Sequence, residues 1–251
     1  MKDYQAVIVE NKPIAENIYE ITFRLNEKPC VRPGQFGAIS VGGTHLLRRP
    51  IAICKAEDDL VSFCYQIKGE GTKKLKEMGA GNELNVLMPL GNGFFVTEEE
   101  QKVALVGGGV GIFPLVSVVR AYADKKEISS FIGFRNKGAV CAVEEFEKSA
   151  SFTAVTDDGS YGDKMNSVQA FERALKDGYR PDVVLSCGPT PMLRALKAVT
   201  EREQIPCYVS LEERMGCGIG ACLVCVCNLT NGERARVCKD GPVFNANDVQ
   251  L

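Results

Sequence analysis

Four cysteines near the C-terminus have the spacing of a metal-binding site. Cys217, Cys222 and Cys225 follow the pattern C-x4-C-x2-C, and Cys238 comes after a short predicted hairpin. This is the plant-type spacing for a [2Fe–2S] cluster held by four thiolates. Because such a cluster exchanges single electrons, the spacing predicts a protein that transfers electrons.

The predicted hairpin brings the last two of these cysteines together. Asn231-Gly232 is typical of a two-residue turn with positive φ at both residues. Pairing the chain about this dipeptide places Cys225 opposite Cys238, at roughly 4.5–5.5 Å. Glycines in the loop around Cys217 would let backbone N–H groups approach the sulfur atoms, and such hydrogen bonds tune a cluster's potential.

Two other uses of these thiols are compatible with the sequence. Four cysteines can bind zinc, although structural zinc sites usually pair two short-spaced knuckles and only one is present here. Cys225 and Cys238 could instead form a disulfide. A fifth thiol, Cys227, shares a strand face with Cys225, and we interpret it as a small buried hydrophobic residue.

The composition narrows the possible functions. The chain of 251 residues has a net charge of −2, which provides no basic surface for nucleic acid. No apolar run reaches the length of a membrane span, and a single histidine, His45, argues against a Ser-His-Asp hydrolase. The N-terminus resembles a strand rather than a signal peptide, so the 11 cysteines favour reduced thiols and a cytoplasmic location.

The order of predicted elements divides the chain into three parts. Residues 1–98 contain short strands and one helix over 72–78 with Thr72 as its N-cap, which is typical of a small antiparallel β-barrel. Residues 99–208 alternate apolar strands with helices, as in a doubly wound parallel α/β domain. Residues 209–251 form a small cysteine-rich hairpin segment, which needs its metal for stability.

The individual elements follow from apolar patterning and turn residues. The predicted barrel strands cover 5–10, 18–25, 36–41, 49–56, 60–67 and 83–88. The predicted strands of the second part cover 102–106, 128–134, 152–156, 182–187 and 207–211, and its helices cover 114–125, 142–148, 167–176 and 191–202.

Two loops at strand ends are candidates for binding a dinucleotide. One is a glycine-rich variant of the G-x-G-x-x-G pattern, which opens a helix, and the other is a Cys-Gly-Pro turn after the last clear strand. In an open α/β sheet the carboxyl ends of the strands line the ligand crevice, so both loops would meet one dinucleotide. Either loop alone also fits an ordinary strand-to-helix turn. The residues are Gly107, Gly109, Gly111, Cys187, Gly188 and Pro189.

The barrel sequence has two weaker anion-binding patterns. Arg48-Arg49 offers planar guanidinium groups that suit phosphate, and the predicted helix start near Gly71-Thr72 is a second anion site. A barrel with two phosphate sites beside a dinucleotide domain fits a flavin facing a nicotinamide. A flavin accepts two electrons and releases them singly, so it belongs between a hydride donor and a one-electron cluster.

This order of parts resembles the electron-transfer subunits of dihydroorotate dehydrogenase B along the whole chain. The first two parts are shared with ferredoxin reductases in general. The cysteine segment and residues 91–94 are the features that point to the dihydroorotate dehydrogenase B family within that superfamily. The matching stretches are 33–36, 47–53, 68–72, 89–94, 107–115, 156–162, 187–192, 212–227 and 238–244.

The resemblance implies three cofactor sites. It assigns FAD to Arg49, Pro50, Ile51, Ala52, Tyr65, Gln66, Ile67, Gly71 and Thr72. It assigns NAD to Gly107, Gly109, Gly111, Cys187, Gly188 and Pro189. It assigns the [2Fe–2S] cluster to Cys217, Cys222, Cys225 and Cys238. The family commonly has serine where this chain has Ala52, so a hydroxyl able to bond the flavin ring is missing here.

The resemblance also implies a function and a partner. The family oxidises dihydroorotate to orotate and reduces NAD in pyrimidine synthesis, and the dihydroorotate chemistry resides on a separate FMN-containing catalytic subunit. Two catalytic and two electron-transfer subunits form a heterotetramer. Electrons pass from the partner's FMN through the cluster and FAD to NAD, so this chain has no catalytic residue of its own for dihydroorotate.

Other functions are compatible with parts of the sequence. The small subunit of an NADH-dependent ferredoxin:NADP oxidoreductase or of a sulfide dehydrogenase resembles all three parts, but in some of these an aspartate replaces the first ligand, so Cys217 favours the dihydroorotate family. A zinc-bearing binding module without flavin and a stand-alone NADH:acceptor reductase are further alternatives. We predict NAD over NADP from the family, although Arg135-Asn136-Lys137 after a strand could tolerate a 2′-phosphate.

Overall fold

The N-terminal part of the protein is a closed antiparallel β-barrel. The computed structural model describes all residues 1–251. The six strands pair in the order β1-β2-β5-β4-β3-β6. Alternation along the strands directs residues such as Ile21 and Phe23 into the barrel. The strands are β1 (Lys2–Ala15), β2 (Ile18–Arg24), β3 (Phe36–Ile39), β4 (Arg49–Glu57), β5 (Leu60–Gln66) and β6 (Glu83–Leu90), with helix α1 (Glu70–Lys76) between β5 and β6.

A mainly parallel α/β sheet follows the barrel. Its elements begin with β7 (Lys102–Gly108), α2 (Ile112–Tyr122), β8 (Glu127–Phe134), α3 (Val143–Phe146), β9 (Ser151–Thr156) and β10 (Asp163–Lys164). They continue with α4 (Ser167–Lys176), β11 (Val183–Cys187), α5 (Thr190–Glu203) and β12 (Cys207–Ser210). Every residue of β11 is buried, because hydrophobic clusters cover both faces of the sheet. The predicted fold class is therefore confirmed.

The C-terminal segment contributes three short strands, β13 (Val226–Asn228), β14 (Arg234–Arg236) and β15 (Val243–Asn245). β13 and β14 form the predicted hairpin, and β15 adds to the edge of the large sheet, antiparallel to β12. The sheet order is β10-β9-β8-β7-β11-β12-β15. Main-chain hydrogen bonds between β12 and β15 therefore connect the cysteine segment to the sheet. The division of the chain into parts at residues 98 and 208 stays a prediction. None of the helices has the length and apolar character that a bilayer span requires.

The predictions for α1 and α3 were wrong, for α1 in the N-cap residue and for α3 in the length of the helix. Helix α1 has Gly69 as its N-cap, and Thr72 lies three residues further on, where its hydroxyl accepts hydrogen bonds from the N–H groups of Lys68 (2.9 Å) and Gly69 (3.2 Å). The Thr72 side chain therefore bonds the backbone N–H groups that precede the helix, as the third helical residue of a capping box does. The helix predicted over 142–148 covers only Val143–Phe146, and the left-handed conformation of Ala142 (φ 57°) excludes that residue from its start.

The hairpin turn also differs from the prediction. The pairs Val226–Arg236 and Asn228–Arg234 show a register shifted by one residue, which leaves a three-residue loop. Only Gly232 has positive φ (87°), and its N–H donates to the carbonyl of Leu229 at 3.2 Å. This loop is a turn followed by a left-handed glycine, which needs one positive φ instead of the two that an Asn-Gly turn requires.

Candidate functional site

Backbone N–H groups surround the sulfur atoms of the cysteine loop. The Cys217 thiol accepts from the N–H groups of Ile219, Ala221 and Cys222 at 3.3–3.4 Å. The Cys238 thiol accepts from the N–H of Gly220 at 3.1 Å. Gly220 is left-handed (φ 84°), so the backbone can turn its N–H inward without a Cβ penalty. The loop thus offers hydrogen bonds to negative sulfur, as a thiolate-bound metal requires.

The shifted register changes how the last two cysteines meet. Cys225 lies opposite Val237, whose N–H donates to the Cys225 carbonyl at 2.8 Å, and the prediction that it faces Cys238 was wrong. The two cysteines still converge, because the N–H of Cys238 donates to the Cys225 thiol at 3.4 Å. Cys238 therefore approaches Cys225 from just beyond the hairpin strands, and not as its cross-strand partner.

The four thiols form two pairs. Cys217 and Cys222 are hydrogen-bonded to each other, as are Cys225 and Cys238. No three of these sulfurs lie within 4.8 Å of one another. A tetrahedral zinc ion with bonds of about 2.3 Å would hold all four sulfurs about 3.8 Å apart, whereas two irons need one pair each. None of the eleven cysteines is joined in a disulfide in this structure. The donor set therefore fits a [2Fe–2S] cluster.

The two pairs differ in their surroundings. Hydrogen bonds from backbone N–H groups, that of Ile219 above all, lower the pKa of the Cys217 thiol to about 6. Burial and the neighbouring Cys225 raise the pKa of the Cys238 thiol to about 12. Cys217 is therefore already a thiolate near neutral pH, while Cys238 must lose its proton when a metal binds.

The cysteine segment packs on the barrel with one side and leaves the other side open. Cys225 and Cys238 are each 2% exposed and contact Phe36, Ala38 and Leu90 of strands β3 and β6. On the opposite side, Cys222 is exposed together with large apolar side chains. These are Ile219, Leu223 and Val224, with Leu223 60% exposed.

A cavity of about 270 Å³ lies where the barrel, the α/β sheet and the cysteine segment meet. It brings together most residues that the sequence assigned to FAD, whereas Ile67 and Gly71 do not line it. The assigned residues in its wall are Arg49, Pro50, Ile51, Ala52, Tyr65, Gln66 and Thr72. Cys187, which the sequence assigned to NAD, also lines this cavity.

Gly71 does not line the cavity, but it contacts Arg49, which does. A Cβ at this position would overlap the Arg49 guanidinium group, so the missing side chain leaves the space in which this group lies. The Arg49 Nη1 also donates to the Leu47 carbonyl at 2.8 Å, which fixes the guanidinium over the start of α1. A fixed guanidinium next to a helix N-terminus fits the phosphates of a flavin dinucleotide.

The sequence did not indicate that the cysteine segment itself would line this cavity. Leu211 and Met215 precede the first ligand and form part of the wall, as does Pro242 beyond the last ligand. Phe36 and Met215 line the cavity and also pack in the hydrophobic cluster that holds Cys225 and Cys238. Met215 and Pro242 lie in the matching stretches 212–227 and 238–244, but the cysteine spacing of these stretches indicates only the metal site.

The two predicted dinucleotide loops are in direct contact. A Cβ on Gly111 would come within 2.6 Å of the backbone of Gly188, so only glycine allows this approach. Gly109 has φ 57° and faces open space, as a loop that receives a ligand should. Gly107 instead lies against Leu115, which explains this glycine by packing. The loops join at the cavity through Val110 and Cys187, so they fit a dinucleotide whose reactive end faces the flavin cavity.

The cysteine segment matches a known protein family. Residues 212–250 match the family model described as the iron–sulfur cluster binding domain of dihydroorotate dehydrogenase B. The whole chain is similar to the electron transfer subunit of dihydroorotate dehydrogenase B (NAD(+)) from Bacillus pumilus, with 41% identity over 100% of this chain and 99% of that protein. The corresponding subunit from Caldanaerobacter subterraneus is 38% identical over 98% of this chain and 97% of its own length.

Solved structures support the same architecture. A chain in the structure of an NADH-dependent reduced ferredoxin–NADP oxidoreductase has a TM-score of 0.83 and 27% identity, covering 98% of this chain and 90% of its own. A cytochrome P450 reductase from Amycolatopsis has a TM-score of 0.71 and 23% identity, covering 81% of this chain and 67% of its own. The second match shows only the shared reductase fold.

Proposed function

Since this chain belongs to the electron-transfer subunits of dihydroorotate dehydrogenase B, we propose that it transfers electrons between a separate catalytic subunit and NAD. When bound, the cluster supplies one-electron exchange, FAD links one- and two-electron exchange, and NAD exchanges a hydride. The observation that supports this role most is the packing of Phe36 and Met215 against both the cavity and the inner cysteine pair. The flavin and cluster sites thus share the same side chains.

The residues of each site have distinct tasks in this proposal. Cys217, Cys222, Cys225 and Cys238 hold the cluster, and the loop N–H groups stabilise negative charge on sulfur. Burial of the inner pair excludes water from the side that faces the flavin.

The proposed FAD site uses the barrel wall for binding and orientation. Arg49 and Thr72 lie at the phosphate end near the start of α1, and Pro50 to Ala52 together with Tyr65 to Ile67 extend along the flavin. Burial raises the pKa of Tyr65 to about 12, so its hydroxyl stays protonated and donates to the Asn11 side chain at 3.1 Å. Ala52 offers no hydroxyl to the flavin ring.

The proposed NAD site lies between the two glycine-rich loops. Gly109 and Gly111 precede the first residue of helix α2, and Cys187, Gly188 and Pro189 precede the first residue of helix α5. Burial raises the pKa of the Cys187 thiol to about 12, so this side chain is neutral beside the cavity. A neutral thiol at this point of the wall suits contact with the uncharged ring of a flavin or a nicotinamide.

We propose that the exposed side of the cysteine loop docks onto the FMN-containing catalytic subunit, in a heterotetramer of two plus two. Ile219, Leu223 and Val224 form a contiguous stretch of apolar exposure around the outer ligands. A docking face there brings the partner to the cluster. We place the protein in the cytoplasm, because 11 cysteines with the spacing of a metal site favour reduced thiols.

Replacing Leu223 with asparagine is expected to weaken association with the catalytic subunit about tenfold or more, because a buried leucine contributes roughly 1.5–3 kcal/mol. Asparagine tolerates the left-handed conformation of this position (φ 57°), so the loop should keep its shape. Isothermal titration of the two subunits measures the effect. Val9→Asn, at an exposed position on the barrel strand β1, is the control and should bind normally. Equal affinities of the Leu223 variant and the unchanged chain would place the docking face elsewhere.

The proposed function is tested by purifying the chain together with a dihydroorotate dehydrogenase catalytic subunit from the same organism. The complex should form orotate with NAD, and NADP should be a poorer acceptor. The structural similarity to a ferredoxin–NADP oxidoreductase chain supports that activity as the second candidate. Reduction of NADP by reduced ferredoxin, without orotate formation, would favour the second candidate over the first.

A further inference from the structure

A second cavity, of about 460 Å³, lies on the side of the barrel that faces helices α2 and α3. Its wall carries an unusual concentration of metal-ligating side chains, none of which belongs to the sites described above except Cys64, which lines both cavities. Glu20, Cys54 and Cys64 are the one group of three such side chains whose ligand atoms all lie within 4.8 Å of one another.

The strand pairing brings these three residues together. Glu20 on β2 lies directly opposite Cys64 on β5. On β4, the register advances by two residues against one on β5 between Ile53 and Lys55, so Cys54 is the extra residue of a β-bulge. Ile53 points into the barrel core, so Cys54 points to the outer face, where it meets Cys64. The bulge interrupts the ladder at this point.

The geometry of the group suits a metal ion. The two thiol sulfurs are 3.2 Å apart, and the Cys54 thiol donates to the Ser62 carbonyl at 3.1 Å. Cys54 is fully buried, Cys64 is 7% exposed and Glu20 is 9% exposed. A tetrahedral zinc ion would separate its sulfur ligands by about 3.8 Å, so the thiols need to move apart by only a fraction of an ångström. The adjoining cavity leaves room for a water as the fourth ligand.

The charges also balance. When the ion binds, the two thiols release their protons to solvent. Two thiolates and a carboxylate then carry three negative charges, and a divalent ion leaves one of these uncompensated. The Lys55 ammonium lies 2.7 Å from the Glu20 carboxylate and supplies the missing positive charge. Lys55 is in turn held by Glu145 of helix α3, at 3.4 Å, and the charge of Glu145 is paired with Arg120 at 2.9 Å. A buried ion with this donor set would therefore carry no net charge into the protein interior.

From this donor set we infer that Cys54, Cys64 and Glu20 form a second metal site, which binds Zn²⁺ or another thiophilic divalent ion. Soft sulfur ligands with one carboxylate select such ions over Mg²⁺ or Ca²⁺. Because Cys64 also lines the cavity assigned to FAD, the ion lies directly behind the flavin site.

Zinc binding to the cluster-loaded, flavin-loaded protein tests this site, because iron then occupies the four C-terminal thiols. Equilibrium dialysis against Zn²⁺ should show one zinc per chain in addition to the iron. Cys54→Ser and Glu20→Gln should each weaken zinc binding by more than the roughly 10- to 100-fold that loss of an outer-shell partner costs. Cys30→Ser, at an exposed thiol, should bind as the unchanged chain does. Iron and flavin contents identify variants that have failed to fold.

X-ray absorption at the zinc edge identifies the ligands. Two sulfur neighbours together with oxygen neighbours are expected. Four sulfur neighbours would place the zinc at the cluster thiols and overturn the inference. The inference would also be overturned if the iron-loaded protein bound no zinc, or if Cys54→Ser and Glu20→Gln both bound zinc with unchanged affinity.

Discussion

The variant Cys225→Ser is expected to lose the cluster and to reduce NAD with dihydroorotate at least 100-fold more slowly than the unchanged complex. Serine is a poor ligand for iron, and the position is buried at 2% exposure beside Cys238, so water cannot readily replace the lost thiolate. Reduction of the flavin by NADH should persist, because the residues proposed for FAD and NAD lie outside the hairpin. Visible absorbance and iron content measure the cluster, and the two assays measure the two halves of the electron route.

Cys227→Ser is the matched control for this variant. Cys227 lies two residues further along the chain, in strand β13, is half-buried and is not part of either thiol pair. It should keep the cluster and the full activity. If Cys225→Ser retained normal dihydroorotate-linked NAD reduction after losing its iron, electrons would not need the cluster, and the proposed route would be wrong.

Substituting alanine for Gly71 is expected to weaken FAD binding by roughly 10- to 100-fold, since a hydrogen bond to a charged group contributes about 1.5–3 kcal/mol. The new Cβ would occupy the space of the Arg49 guanidinium and displace it from the cavity wall. Alanine is a better helix former than glycine, so helix α1 should be no less stable. Fluorescence titration of the flavin-free protein with FAD measures the change.

Gly79→Ala is the control for this substitution, because a Cβ there meets no atom within 4 Å and the residue does not line the cavity. It should bind FAD normally. Normal FAD affinity in the Gly71 variant would show that the arginine at this position does not hold the flavin phosphates. An FAD defect together with lost secondary structure would instead mean misfolding, which circular dichroism detects.

Features governed by neighbouring residues were predictable from the sequence. The spacing of the four cysteines, the order of barrel and α/β parts and the bounds of α4 all follow from local patterns. For α4, Asn166 and Gln169 form a capping box that fixes the helix start, with side-chain-to-backbone hydrogen bonds of 2.9 Å in both directions. Such contacts span three residues, so they form in nearly the same way in any fold.

Features governed by distant contacts were decided only by the tertiary structure. The sequence by itself predicted the four thiols that we propose as cluster ligands, but the packing of the hairpin on β3 and β6 determined that Phe36 and Met215 lie between this segment and the cavity proposed for FAD. In the same way, the bulge at Cys54 and its meeting with Glu20 depend on the pairing of three strands. The physical reason is that residue spacing fixes reach along the chain, whereas the register and packing of separate elements are set by the burial of many side chains at once.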